Sequence, residues 1–342
     1  MNYLRTHTDP ARGEVFAASL GRPIEFDRAL DAWIVIDPGI VSALLRDPRV
    51  TAISTAAASV FLEERYSVRL STLVAVAELL PLGLDGQPHL AVRRQMARIV
   101  SKGQERLAGL MPGLVEKHFA PLAHSAEVEL CTECVAPFVE ELFSRIIDGQ
   151  ETIPFRTRTL ARIFDRLTSI ATRIAIDAEL AALRAHLVAL GIEDLDLTLA
   201  FLMIGRDSLV STLAESLADI ARNAGGAALP DLAYPAMPPQ TAVSVTERMV
   251  GEDLSIGGQD LRKGDRLRLY FQGYAHLPAE ADKLLMFGTG LHSCLGRGLS
   301  LDAWQALVAW LSRVPRRMEL VGYAVYPDPI FTMPEYVRIR LS

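Results

Sequence analysis

Near the C-terminus the chain reads Phe287-Gly288-Thr289-Gly290-Leu291-His292-Ser293-Cys294-Leu295-Gly296. Two closely spaced glycines let a loop turn sharply and bring its backbone near a flat ligand. Cys294 falls where that loop gives way to a helical pattern. A helix N-terminus favours thiolate over thiol through its free N–H groups and its dipole. A thiolate of lowered pKa is a soft ligand for iron. Phe287 can shield the sulfur from water, and Gly296 lets the helix approach the ligand closely. The plain alternative is a structural cysteine after a glycine-rich turn.

Two further groupings carry chemistry. His89 and Arg93 are four residues apart, so on a helix they share one face and can hold one anionic group together. Ile204-Gly205-Arg206-Asp207-Ser208 places an acid beside an alcohol within a long apolar helical pattern. Each also has a bland reading, as surface polarity or as a solvated Asp-Ser on an amphipathic helix.

The cysteine segment resembles the ligand loop of the cytochrome P-450 family, FGxGxHxCxG, and every fixed position is present. The resemblance extends over nearly the whole chain. Pro88-His89-Leu90-Ala91-Val92-Arg93-Arg94 is similar to the family's PxHxxxR helix start. Arg248, ahead of Gly251-Glu252-Asp253, is similar to its third propionate-binding residue, and His292 to the fourth. The resemblance implies haem b (iron protoporphyrin IX), with Cys294 on the iron and His89, Arg93, Arg248 and His292 on the propionates. Phe287, Gly288, Gly290 and Gly296 would shape the loop. It also implies that Gly205 leaves space for dioxygen and water, while Asp207 and Ser208 relay protons. The expected activity is that of a monooxygenase inserting one oxygen atom from dioxygen into a small, largely hydrophobic substrate in secondary metabolism, with a ferredoxin-like electron donor and its reductase. The alternatives are haem-thiolate chemistry without a reductase (rearrangement, cyclisation, dehydration or peroxide-driven oxidation) and a non-catalytic relative that binds a partner protein.

Two features depart from the family pattern together. The ExxR helix should precede Pro238-Pro239, yet no Glu–Arg pair lies there. Tyr274-Ala275-His276-Leu277-Pro278 stands where NRDP is usual. Losing one partner of a buried ionic network strands a charge, at a cost of about 3–5 kcal/mol, whereas losing all of them need not. A remodelled but viable fold is expected.

The elements that must position these residues follow from periodicity. Trp33 to Ile36 reads as a strand, and Val41 to Leu45, Leu90 to about Leu122 (broken near Met111-Pro112-Gly113), Glu127 to Ile147 and Arg158 to Leu190 as helices. Leu195 to Arg222 is the longest helix, about 40 Å. Gly225-Gly226 and four prolines break the stretch 223–239. Short strands follow (Thr241–Arg248, Leu254–Ile256, Arg266–Phe271), then a helix from Cys294 to Leu311 and an extended Tyr323–Leu341. Together they predict one mainly α domain over residues 1–342, with a minor antiparallel β component and a long central helix over the haem. By the family's architecture, Leu73 to Leu84, parts of Ile153 to Ile176, the Gly205 helix and Ile330-Phe331-Thr332 line the substrate pocket. Arg156, Arg158, Arg162 and Arg166 could draw an anionic or carrier-tethered substrate, or form a solvated helix face.

Composition narrows the rest. A net charge of −6 argues against a general nucleic-acid binder. There is no run of about 18 uninterrupted apolar residues, so no membrane span is expected. Met1 to Pro10 lacks the apolar core of a secretion signal, and a cytoplasmic protein is expected. Cys131 and Cys134 form a lone CxxC best read as part of an apolar helix face.

Overall fold

The computed structural model describes residues 23–147, 153–155, 160–165, 168–271, 274, 283–326 and 330–342. Helix α1 (Pro38–Arg46) starts with proline in its first turn, and the Asp37 carboxylate accepts from the Ile40 N–H at 2.8 Å. That satisfies a donor no helical carbonyl can reach. Next come α2 (Ala57–Tyr66), α3 (Ser71–Ala77) and α4 (Gly86–Leu107). In α4, His89, Val92, Met96, Val100, Gly103 and Leu107 are buried, a stripe at three- and four-residue spacing. Gly109, at φ 77°, ends the run before α5 (Met111–Phe119) and the short α6 (Pro121–His124).

Helix α7 (Ala136–Ile147) lies among α4, α5 and the long α9 (Leu195–Asn223), most of whose residues are buried. By length and composition α9 could cross a membrane, but here protein surrounds it as the central core helix. Glycines let α7 approach its neighbours. A Cβ on Gly103 of α4 would lie 2.5 Å from Ile146, and one on Gly205 of α9 would lie 2.6 Å from Phe143. Helix α8 (Ile170–Ala189) is capped by Ser169, whose hydroxyl accepts from Thr172 N–H. Helix α10 (Arg297–Leu311) completes the set.

The strands are β1 (Ile24–Asp27), β2 (Ala32–Val35), β3 (Val50–Ala52), β4 (Glu127–Glu129), β5 (Val245–Val250), β6 (Leu254–Ile256), β7 (Gln259–Leu261), β8 (Arg266–Tyr270), β9 (Met318–Val325) and β10 (Pro334–Leu341). They form a five-stranded sheet β1-β2-β8-β5-β3, a three-stranded sheet β4-β10-β9 and the hairpin β6-β7. All pairs are antiparallel except β2 with β8. The architecture is mainly α with a minor β component, as the periodicity predicts.

Three boundaries differ from expectation. Glu127–Glu129 is a strand, because Arg338, Ile339 and Arg340 of β10 offer it antiparallel partners. A π-turn at Cys131–Val135 then leads into α7, with Cys131 and Cys134 buried as free thiols. The helix expected over 158–190 is a 3-10 turn at Leu160–Phe164 followed by α8.

Helices α5 and α7 are tied by Glu141. Its carboxylate accepts from Lys117 Nζ at 2.6 Å, His118 Nε2 at 2.7 Å and Arg145 at 3.1 Å. Burial alone would raise its pKa, but these donors outweigh that and hold it at about 2. A carboxyl depressed in the folded state stabilises above its unfolded value, near 4.5, and loses that contribution as pH falls towards 2. Glu141→Gln should therefore cost about 2 kcal/mol at pH 7, by chemical denaturation, and progressively less below pH 4.5. An equal cost at pH 7 and pH 2.5 would contradict this account.

Candidate active site

Four elements converge on one cavity of about 520 Å³. The Cys294 loop forms one wall and α9 contributes Ile204, Gly205, Ser208, Leu209 and Thr212. Arg93 of α4 and Arg248 of β5 also face it. The loop conformation follows from its glycines. Gly288 and Gly290 have φ of 74° and 68°, a region that L side chains rarely adopt, and a Cβ on Gly290 would sit 3.0 Å from the Leu45 carbonyl. The Cys294 N–H donates to the Phe287 carbonyl at 2.7 Å, closing the turn.

Helix α10 begins three residues after Cys294, at Arg297, rather than at the cysteine itself. The backbone N–H groups of Gly296 and Arg297 still favour the thiolate. The expected lowering of the thiol pKa is nevertheless reversed. Burial pushes it up, and outweighs those amides and the nearby Arg93 and Arg297 charges. Cys294 counts as exposed because the cavity admits water to one side of it; protein crowds the other sides closely enough for desolvation to dominate.

Beside the thiol is a buried concentration of positive charge. The Arg93 guanidinium donates to Ser293 O at 2.5 Å and to Ser293 Oγ at 3.1 Å. Arg248 donates to Thr246 Oγ1 and Glu247 O, and burial lowers its pKa to about 10. The His89 and His292 rings lie 4.3 Å apart. Burial first, then repulsion from Arg248 and His89, lowers His292 to about 4; burial and then Arg93 lower His89. The carboxylate facing this group is Asp85, 3.4 Å from His292 Nε2. Both ring nitrogens of His89 and Nδ1 of His292 are buried without a hydrogen-bond partner. Unpartnered ring nitrogens beside the buried Arg248 and half-buried Arg93 guanidiniums form a site for an anionic group. A flat iron macrocycle bearing two carboxylates fits this arrangement: a soft sulfur for the metal, donors for the acids, and apolar walls.

The cavity brings together Gly205, Ser208, Arg93, Arg248, His292, Phe287, Gly288, Cys294 and Gly296. Three expected residues do not line it. His89 stacks behind His292, and Gly290 turns towards Leu45. Asp207 is turned away as well. Its Oδ1 accepts from Arg206 at 2.8 Å and its Oδ2 from Ala161 N–H at 2.9 Å, while Arg206 also pairs with Glu140. The adjacent arginine, buried with it, captures the acid. Nor does Gly205 leave a void, since the Phe143 ring fills its notch and α9 runs unbroken through it. Ser208 donates back to the Ile204 carbonyl at 2.8 Å. Thr212, one turn on, accepts from Ala242 N–H at 3.1 Å. Sequence reasoning missed Phe143 and Thr212. Thr212 was marked by its place four residues after Ser208; Phe143 carried no local signal.

Of the expected pocket segments, Pro81, Leu82, Ile163, Phe164, Ile330 and Phe331 line the cavity. Leu73, Val76 and Ala77 instead pack into the helical core, and Ile53 to Thr55 supply wall that was not anticipated. Arg156, Arg158 and Arg166 lie outside the described residues.

The stretch 224–244 holds a 3-10 turn at Leu229–Asp231 and no longer helix. Neutral hydrogen bonds join the elements there. The fully buried Trp304 donates its indole N–H to Pro235 O at 2.9 Å, and Tyr274 donates to Pro38 O while accepting from Ser42. The other residues of 275–278 lie outside the described set.

No family model matches the sequence, and no curated protein is similar to it. Solved structures are similar in fold. CalO2 superposes with a TM-score of 0.77 at 18% identity, covering 99% of this chain and 98% of that one. P450BioI, solved with an acyl carrier protein ligated to hexadec-9Z-enoic acid, gives 0.74 at 16% identity over 99% and 100%. The haem domain of a Tepidiphilus thermophilus P450 gives 0.75 at 15% identity over 98% and 95%. The fold of this chain is thus the cytochrome P450 fold.

The glycines of the loop make separable predictions. Gly290→Ala forces a side chain into a left-handed backbone and against Leu45, and should cost about 2 kcal/mol in denaturation. At Gly296, φ is −84° and a Cβ meets nothing nearer than Cys294 Sγ at 3.9 Å. Gly296→Ala should cost less than half as much.

Proposed function

We propose, from this fold, that the protein is a haem-thiolate oxidoreductase that oxidises a small, largely hydrophobic molecule. One observation carries the reading: the Cys294 thiol, the Arg93 and Arg248 guanidiniums and His292, whose Nδ1 is unpartnered, line one cavity together with α9. Cys294 would hold the iron. Arg93, Arg248 and His292 would hold the carboxylates, with His89 supporting His292 from behind. When bound, the group supplies two-electron activation of dioxygen, with one oxygen atom inserted into the substrate and the other released as water.

The chain's own residues do the rest. The amides of Gly296 and Arg297, with the Arg93 charge, favour the thiolate once a metal offsets the desolvation that opposes it. Phe287 covers the loop side of the cavity, and Ile163, Phe164, Ile330 and Phe331 offer an apolar surface for substrate. Thr212 and Ser208 place hydroxyls on the α9 wall. Electrons would come from a ferredoxin-like donor and its reductase. An acyl chain on a carrier, as in the P450BioI complex, is one hydrophobic substrate this cavity could take.

A second reading is supported by Asp207. With both its oxygens held by Arg206 and Ala161, the acid expected to pass protons is engaged elsewhere. Haem-thiolate chemistry that needs no such relay, driven by peroxide or without net redox change, suits that arrangement. Turnover with peroxide but none with reductase and dioxygen would select it.

The reduced carbon monoxide complex should show the strongly red-shifted Soret band of a thiolate ligand, and Cys294→Ala should abolish it. Arg248→Leu should weaken haem binding about 30-fold, in keeping with about 2 kcal/mol for a charge-assisted hydrogen bond. No Soret band after haem supplementation would overturn the reading.

A further inference from the structure

Helix α7 reaches the cavity at one point. Phe143 is only 2% exposed, and its ring lies against α9 where Gly205 has no side chain. A Cβ built on Gly205 falls 2.6 Å from both Cε1 and Cζ of that ring, so glycine and ring fit only as a pair. The ring is steadied by Phe201, one turn earlier on α9, with centroids 5.3 Å apart. Phe143, Phe201 and Gly205 all line the cavity. The α9 wall is therefore closed, over this stretch, by a side chain borrowed from a neighbouring helix.

We propose that Phe143 determines substrate size on the α9 side of the cavity, as a wall set into the Gly205 notch that excludes groups as large as a phenyl ring. The proposal rests on the haem-thiolate reading for its chemistry, though not for its geometry. Cutting the ring back leaves a space bounded by Phe201, Ile204 and Gly205, and apolar cavities of that kind take up small aromatic molecules readily.

The test compares imidazole with 4-phenylimidazole by optical titration of the haem-loaded protein. Phe143→Ala should tighten 4-phenylimidazole at least tenfold and leave imidazole within about twofold. Phe143→Leu, which keeps more of the core filled, should shift in the same direction by less, and carries the test if the alanine variant does not fold. Gly205→Ala should lower the melting temperature, and Gly205→Ala combined with Phe143→Ala should recover part of that loss relative to the sum of the single changes. An unchanged ratio of the two affinities in both Phe143 variants would overturn the proposal. If the wild type shows no spectral change with imidazole, the haem reading has failed instead. Toluene binding by calorimetry then decides: binding to Phe143→Ala and not to wild type supports the wall, and binding to neither removes it.

Discussion

Positive charge gathered in a low-dielectric place, with less negative charge to meet it, is the constraint around which this molecule is arranged. Arg93, Arg248, His89 and His292 come from three distant parts of the sequence, and Asp85 is the carboxylate that faces them. Like charges so placed repel strongly. The histidines respond by giving up protons, and the arginines by leaning on the carbonyls and hydroxyls of Ser293, Thr246 and Glu247. Such an arrangement persists because the surrounding helices and the five-stranded sheet are held by burial elsewhere. A dianionic ligand would relieve the repulsion, so stability and ligand affinity are two faces of one electrostatic term.

The legible part of the molecule was the part written in local pattern. The loop around Cys294, the stripe of α4 and the length of α9 each announce themselves through spacing within one segment. The family resemblance then placed His89, Arg93, Arg248 and His292 in one neighbourhood. What stayed hidden depends on partners distant in sequence. Glu127–Glu129 becomes a strand only because β10 lies beside it. Asp207 turns from the cavity because Arg206 is buried next to it and Ala161 presents an amide. The thiol pKa of Cys294 rises because desolvation is a property of the assembled wall, which no motif encodes. Phe143 looks like any core aromatic until the Gly205 notch is seen to receive it.

The irregular stretch 224–244 is assembled on a different principle from the helical core. Between α4, α7 and α9, side chains enter glycine notches and buried apolar surface is continuous. The irregular stretch 224–244 is joined to α10 by the Trp304–Pro235 hydrogen bond, between neutral groups and worth about 1 kcal/mol net.

That contrast divides the molecule into regions of unequal cooperativity. The stretch 224–244 has one 3-10 turn and few ladder partners, so burial of Leu229, Met237 and Ala242, rather than regular backbone bonding, holds it in place. In hydrogen-exchange terms its unladdered amides are expected to exchange ahead of those of α9.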